Sequence, residues 1–297
     1  MRLINTRTLL FEEFTRDIPQ YAILSHTWEE GEEVSFAEMG DPACTRKRGY
    51  EKVAMTCKLA AESGIGYAWV DTCCIDKSSS AELSEAINSM FRWYQRSAVC
   101  YVFLSDLNAE VALHDALVQC RWITRGWTLQ ELIAPKDIIF FDKTWVQRGH
   151  KVDYLDVLQS ATGIDIAVLK NTVSLSRLSV AQKMSWAAHR ETTRTEDRAY
   201  SLLGIFDVHM PLLYGEEERA FRRLQEEIIK TTPDVTIFGW TRPLPLASQR
   251  AALPSSPYCG ILAESPEEFA SSASLKPFKG RSDTDFSVTN RGIKWVS

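Results

Sequence analysis

The chain has 297 residues, of which 45% are hydrophobic and 25% charged, a composition typical of a folded protein with one large or two medium domains. Its 34 basic and 39 acidic side chains give a formal net charge of −5, so no overall positive field attracts nucleic acid. No apolar segment approaches 18 residues and no long apolar stretch follows Met1, which argues against a membrane span and a signal peptide.

The first 150 residues alternate between apolar strands and amphipathic helices. Apolar runs bounded by polar loops predict the strands, and apolar residues at helical spacing predict the helices. In chain order the predicted elements are a strand at 21–25, a helix at 50–63 that ends at Gly64, a strand at 67–71, a helix after the Ser79–Glu82 capping box, a strand at 98–104, a short helix at 127–133 and a strand at 137–141. Such alternation predicts an α/β fold whose parallel sheet is flanked by helices on both faces.

After residue 150 the pattern becomes mainly helical, and the last part is richer in Pro and Ser. We predict helices at 153–161, 180–189, 196–206 and 216–231, and strand-like pieces at 236–238 and 286–288. The chain ends within a strand-like segment, which we interpret as a truncated end. The predicted organisation is an α/β domain over 1–150, a helical extension packed on it over 151–231, and a C-terminal segment with short strands over 232–297.

Seven cysteines, an odd number, are scattered through apolar segments and include the vicinal pair Cys73-Cys74. We interpret them as reduced thiols of a cytoplasmic protein. Vicinal cysteines lack the usual spacing of zinc ligands, so we predict no metal site. A thiol hydrolase that uses this pair with His26 stays open as an alternative.

In an open parallel sheet, ligands bind beyond the carboxyl ends of the strands, where loops and helix N-termini converge. This rule selects residues that follow three predicted strands or lie on the segment that folds back over them. The candidates are Ser25, His26, Trp28, Asp71, Cys74, Asp76, Arg125, Trp127 and Glu131. Tryptophans, an arginine and a glutamate together suit an aromatic, nucleotide-like ligand with phosphates. A structural histidine, a turn-capping Asp71 and a first-turn Glu131 are the alternatives for the same residues.

Three sequence blocks carry a family resemblance. They are YAILSHTW at residues 21–28, WVDTCCID at 69–76 and RGWTLQEL at 125–132. In this order they resemble the signature blocks of the fungal heterokaryon incompatibility (HET) domain. The stretch from Asp197 to Phe206, with the Pro211–Glu216 segment, is similar to the helical region that follows in large vegetative incompatibility proteins. The resemblance covers roughly residues 1–230 and implies a role in non-self recognition that ends in programmed cell death.

The HET family is regarded as a distant relative of the Toll/interleukin-1 receptor (TIR) domain, which implies a TIR-like, flavodoxin-like sheet. TIR domains that cleave NAD carry a glutamate a few positions after a Trp-Cys pair. Here Trp127 and Glu131 have that Trp-x-x-x-Glu spacing, with Thr128 in place of the cysteine. The resemblance therefore implies that Glu131 is the catalytic carboxylate of an NAD⁺ glycohydrolase.

The chemistry of NAD⁺ cleavage supports a single carboxylate, because the cationic nicotinamide leaves as a neutral molecule and needs no general acid. In this hypothesis Trp28 or Trp127 stacks on a base and Arg125 pairs with the pyrophosphate. Ser25, His26 and Asp71 line the pocket. NAD⁺ or a related nucleotide is then the substrate, no cofactor is expected, and the TIR resemblance implies activation as a homo-oligomer. A non-enzymatic signalling module that triggers death through its partners is the alternative.

Overall fold

The computed structural model describes residues 1–242, 260–277, 285–289 and 292–296. The chain divides into two compact units, residues 1–173 and residues 174–297. The domain boundaries expected from the sequence, at residues 150 and 231, stay predictions. No helix within the described residues is both long and apolar enough to cross a membrane.

The first unit is built on a seven-stranded mixed sheet in the order β2-β1-β4-β3-β5-β6-β7. Its strands are β1 (Arg2–Asn5), β2 (Phe11–Glu13), β3 (Tyr21–His26), β4 (Tyr67–Trp69), β5 (Val99–Phe103), β6 (Ile138–Phe141) and β7 (Gln147–His150). The four central strands β4, β3, β5 and β6 are parallel, while β1, β2 and β7 extend the two edges in antiparallel pairs.

Eight α-helices are described in this unit. They are α1 (Arg48–Glu62), α2 (Asp71–Cys74), α3 (Ser80–Arg96), α4 (Leu113–Ala116), α5 (Arg121–Thr124), α6 (Thr128–Ile133), α7 (Leu155–Thr162) and α8 (Ile166–Leu169). Helix α1 connects β3 to β4, and α3 returns across β3 to β5. The β3–α1–β4 and β4–α3–β5 crossovers run in opposite directions along the sheet. Because crossovers between parallel strands are right-handed, α1 and α3 cover opposite faces of the sheet.

The four parallel strands have the sequence order 2-1-3-4, which is the order at the start of flavodoxin-like sheets. All six residues of β3 and all five of β5 are buried, as expected for strands covered on both faces. The strand order reverses between β3 and β5. The carboxyl ends of these two strands, at His26 and Phe103, therefore mark the position at which this class of fold binds ligands.

The second unit contains α9 (Val180–Ser185), α10 (Asp197–Tyr200), α11 (Leu203–Phe206) and α12 (Arg219–Thr231), followed by the antiparallel pair β8 (Asp285–Thr289) and β9 (Gly292–Val296). The predicted apolar face of the last helix is confirmed, because Ala220, Phe221, Leu224 and Ile228 are all buried on α12. The α/β class, the helical region and the small C-terminal β-segment thus agree with the sequence prediction.

The structure corrects several predicted elements. The strands β1, β2 and β7 were not predicted, because each has only three or four residues and a mixed polar pattern. The strand-like piece at 236–238 is instead a 3₁₀-helix, Val235–Phe238, which begins at the side-chain cap of Asp234. The predicted helix at 196–206 is interrupted, since α10 and α11 are separate short helices.

Candidate functional site

Glu131 lies on α6 under the carboxyl end of β3. Its carboxyl group accepts a hydrogen bond from the Ser25 hydroxyl, which in turn accepts one from Trp122 Nε1 at 2.7 Å. The Tyr94 hydroxyl of α3 donates to the Leu24 carbonyl at 2.9 Å and lies beside Glu131. We call Ser25, Tyr94, Trp122 and Glu131 the glutamate group. It joins β3, α3, α5 and α6 on one face of the sheet, which fixes the carboxyl group in one orientation.

Burial raises the pKa of Glu131 to about 8, because the ionised carboxylate loses water. The hydrogen bond from Ser25 lowers this pKa, and the negative charge of Asp71 raises it. Tyr94 and the positive charge of Arg125 lower it further. At pH 7 the carboxyl group therefore holds its proton in the unliganded protein. A cation bound beside it would favour the ionised form.

His26 belongs to a second group of polar side chains. Its Nε2 atom is 3.1 Å from Asp71 Oδ1, and the other Asp71 oxygen accepts a hydrogen bond from Trp28 Nε1 at 3.0 Å. On its other side, His26 Nδ1 is 3.8 Å from Glu33, which accepts a hydrogen bond from the buried Lys52 ammonium at 2.5 Å. We call Trp28, His26, Asp71, Glu33 and Lys52 the histidine group.

The pKa of Asp71 is lowered despite burial, which alone would raise it. The hydrogen bond and the electrostatic interaction with His26 lower this pKa. The charge of Lys77 and the hydrogen bond from Trp28 act in the same direction, and together they outweigh the loss of solvation. Asp71 therefore stays ionised at neutral pH, in contrast to Glu131. Two carboxyl groups near the same strand end thus differ in protonation state, a difference that is common at functional sites.

Three glutamates of the acidic segment 29–33 contact α1. Glu33 pairs with Lys52, and Glu29 lies 3.4 Å from the Arg48 guanidinium. Glu32 accepts a hydrogen bond from the Arg48 backbone N–H in the first turn of α1, where negative charge is favoured. The repulsion that this segment would exert on a pyrophosphate is therefore reduced.

Adjacent residues of β3 reach the two groups, because successive side chains of a strand point to opposite faces. Ser25 contacts Glu131 on one face, and His26 contacts Asp71 and the Glu33–Lys52 pair. The structure thus places Glu131, Asp71 and His26 around one strand end. The charge of Asp71 acts on Glu131 directly.

The remaining predicted residues occupy different surroundings. Arg125 and Trp127 are half-buried immediately before α6, on the segment that carries Glu131. Asp76 lies apart from the glutamate group: its carboxylate binds the backbone and hydroxyl of Ser78, and its own N–H donates to Glu82. Cys74 is buried, and its Sγ accepts a hydrogen bond from the Val70 N–H at 3.4 Å.

The neighbouring thiol Cys73 is also buried. Its contact with Cys74 and its burial raise the pKa of Cys73 well above the ordinary value, so it remains in the thiol form, which is a poor nucleophile. The hydrolase alternative based on this pair loses its chemical support.

Sequence reasoning missed several members of both groups. Tyr94 and Trp122 were not among the candidate residues. Lys52 lies on α1 among apolar positions and is 3% exposed, a signal for a paired buried charge. Lys77, whose ammonium lies 3.7 Å from the Trp28 ring centroid, carried no sequence signal.

Fold and site together define an α/β protein with a buried glutamate at the point where the strand order of a flavodoxin-like sheet reverses. The family model of the heterokaryon incompatibility protein (HET) matches residues 21–117, and that of a domain of unknown function, DUF8212, matches residues 219–286. The chain is a heterokaryon incompatibility domain protein. The matched HET segment contains Ser25, His26, Trp28 and Asp71 but ends before Glu131.

A relative is the vegetative incompatibility protein HET-E-1 of Podospora anserina, which is 48% identical over 222 residues. The match covers 72% of this chain but only 16% of the relative's length. The comparison with solved structures found no match.

Proposed function

We propose that this chain acts in fungal non-self recognition and programmed cell death by hydrolysing NAD⁺ at the nicotinamide–ribose bond, with Glu131 as the catalytic carboxylate. The similarity to a vegetative incompatibility protein supports the biological role. The observation that carries the chemistry is the position of Glu131 at the β3 end, oriented by Ser25. Activation by self-association is part of this proposal.

Glu131 stabilises the positive charge that develops on the ribose as the bond to nicotinamide breaks. The bonding electrons move to the nicotinamide nitrogen, water attacks the ribose carbon, and one proton is released. The approach of the cationic nicotinamide lowers the pKa of Glu131 from about 8 and so draws it into the ionised form. The positive charge of Arg125 acts in the same direction, and its guanidinium pairs with the pyrophosphate.

The test is nicotinamide release from NAD⁺ by the purified protein at high concentration and pH 8. Glu131→Gln keeps the shape of the side chain but removes the negative charge. We expect this variant to lose at least about 100-fold of the activity, as removal of a charge-stabilising group does in other enzymes. Glu110→Gln, at an exposed glutamate of the same unit, is the matched control and should retain the wild-type rate. Equal release by both variants would refute the role of Glu131.

The burial of Glu131 and its hydrogen bonds within the fold favour a second candidate, a signalling module that kills through partners. In fungal cells that express the protein, this candidate predicts that Glu131→Gln still causes death. The NAD⁺-cleavage proposal predicts that it does not. Immunoblotting for equal protein amounts controls for expression.

A further inference from the structure

Trp28 is exposed to solvent, yet its orientation is fixed. Its side chain is 46% exposed, its Nε1 atom donates to Asp71 at 3.0 Å, and the Lys77 ammonium lies 3.7 Å from the ring centroid. Large aromatic side chains at a surface are ordinarily free to change rotamer. Here the hydrogen bond holds the edge of the indole and the ammonium lies on one face.

The hydrogen bond to Trp28 is supported from the interior. Asp71 contacts His26, His26 faces Glu33, and Glu33 pairs with Lys52. Acidic and basic groups thus alternate from the buried Lys52 to the surface indole. Burying ionisable groups costs solvation, and hydrophobic side chains would fill this space without that cost. The arrangement orients one exposed aromatic ring, which is a feature of a binding platform.

We propose that Trp28 and Lys77 form a subsite for the neutral base and a phosphate of a nucleotide. The identity of the ligand as a nucleotide rests on the proposed function. The inference adds Lys77 to the binding residues and gives the substrate an orientation. Stacking of a base on an aromatic ring is stronger than an exposed cation–π contact, so the base displaces the ammonium from the indole. The Lys77 side chain is flexible, so its displaced ammonium can reach a phosphate oxygen of the ligand and pair with it.

The role proposed for Glu131 decides which end of NAD⁺ lies on Trp28. The nicotinamide–ribose bond must lie beside Glu131, so the adenosine end is the one left for the Trp28 ring. The adenosine end therefore stacks on Trp28. The nicotinamide end extends toward Glu131, whose ionised form attracts it.

The test measures binding of ADP-ribose and of adenosine by isothermal titration calorimetry, since neither probe contains the bond that is cleaved. Trp28→Ala should weaken ADP-ribose binding by about tenfold or more. Lys77→Ala should weaken ADP-ribose binding several-fold and should not weaken adenosine binding. The exposed Lys143, changed to Ala, is the matched control and should bind ADP-ribose like the wild type.

Trp28→Phe keeps an aromatic face and tests stacking if Trp28→Ala fails to fold. Any change in the affinity of Trp28→Phe should be the same factor for ADP-ribose and for adenosine, because the phosphate contact of Lys77 is kept. Equal ADP-ribose binding by the wild type, Trp28→Ala and Lys77→Ala would overturn the inference, as would no binding by the wild type. Nicotinamide release that depends on Glu131 can still occur in that case. Conversely, binding that depends on Trp28 without any nicotinamide release refutes the proposed function alone.

Discussion

At the scale of single residues, the proton held by Glu131 has the widest consequences, because it links folding stability to pH. Its pKa is about 8 in the folded chain but about 4.3 when a glutamate is exposed to water. Between these values the folded chain holds a proton that the unfolded chain has lost. The contribution of Glu131 to the free energy of unfolding is fully present below about pH 4 and is lost progressively as pH rises through about 8.

We expect Glu131→Gln to remove this pH dependence. Relative to the variant, the wild type should lose up to about 1.4 kcal/mol of unfolding free energy per pH unit between pH 5 and 8. Urea denaturation at pH 5, 6.5 and 8 measures the difference. Glu110→Gln should follow the wild type at each pH, and a constant difference between Glu131→Gln and wild type across this range would show that Glu131 is ionised in the fold.

At the scale of elements, the short helix α6 depends on partners outside itself. Lys151 Nζ donates to the Pro135 carbonyl at 2.7 Å and to the Leu132 carbonyl at 3.4 Å, and Asn171 Nδ2 donates to the Ile133 carbonyl at 2.8 Å. These carbonyls have no partner within the helix, because they lie at its C-terminal end. The two side chains thereby hold the helix that carries Glu131.

We expect Lys151→Met to lower the free energy of unfolding by about 1–3 kcal/mol, because buried carbonyl groups lose their donor. Methionine has a similar length, so packing is largely kept. Lys143→Met, at an exposed lysine, should leave stability within about 0.5 kcal/mol of the wild type. Urea denaturation compares the two, and equal stabilities would show that Lys151 does not support α6.

The acidic segment and α1 form a second dependent pair of elements. At Gly49 in α1, a Cβ atom would lie 2.7 Å from the Glu32 carbonyl oxygen and 2.7 Å from Glu33 Cα. Both are backbone atoms, which cannot move without shifting the segment. The glycine thus permits the close approach that brings Glu33 to Lys52.

Gly49→Ala should therefore destabilise the protein by about 1–3 kcal/mol, although alanine is the better helix former. Gly66→Ala is the control, because a Cβ there meets no atom within 4 Å. Thermal unfolding of both variants measures the effect. A stabilised Gly49→Ala variant would contradict the tight packing of this segment on α1.

Across the whole molecule, the sequence predicted the elements whose pattern is long and periodic. Helix α3 was predicted from its capping box and apolar face, and Ser79 does accept a hydrogen bond from Glu82 N–H. Strands β3 and β5 were predicted because they are apolar on both faces. The edge strands β1, β2 and β7 are set by pairing with the central sheet, which local sequence does not encode.

The site was predictable to the extent that topology determines it. The carboxyl-end rule selected Ser25 and Glu131, which are 106 residues apart in the chain and hydrogen-bonded in the structure. It did not select Tyr94, which lies in the last turn of α3, or Lys52, which reaches the strand end from α1. Such partners depend on how helices pack on the sheet, and spacing along the chain does not reveal that.

The central claim, that ionised Glu131 cleaves NAD⁺, is tested most directly by the pH dependence of kcat/KM for nicotinamide release. This ratio reports the free enzyme, in which the pKa of Glu131 is about 8. We predict that kcat/KM rises up to about tenfold per pH unit from pH 6 and levels above about pH 8, and that Glu131→Gln abolishes this rise. A profile that is flat from pH 6 to 9, or the same in Glu131→Gln, would contradict the claim.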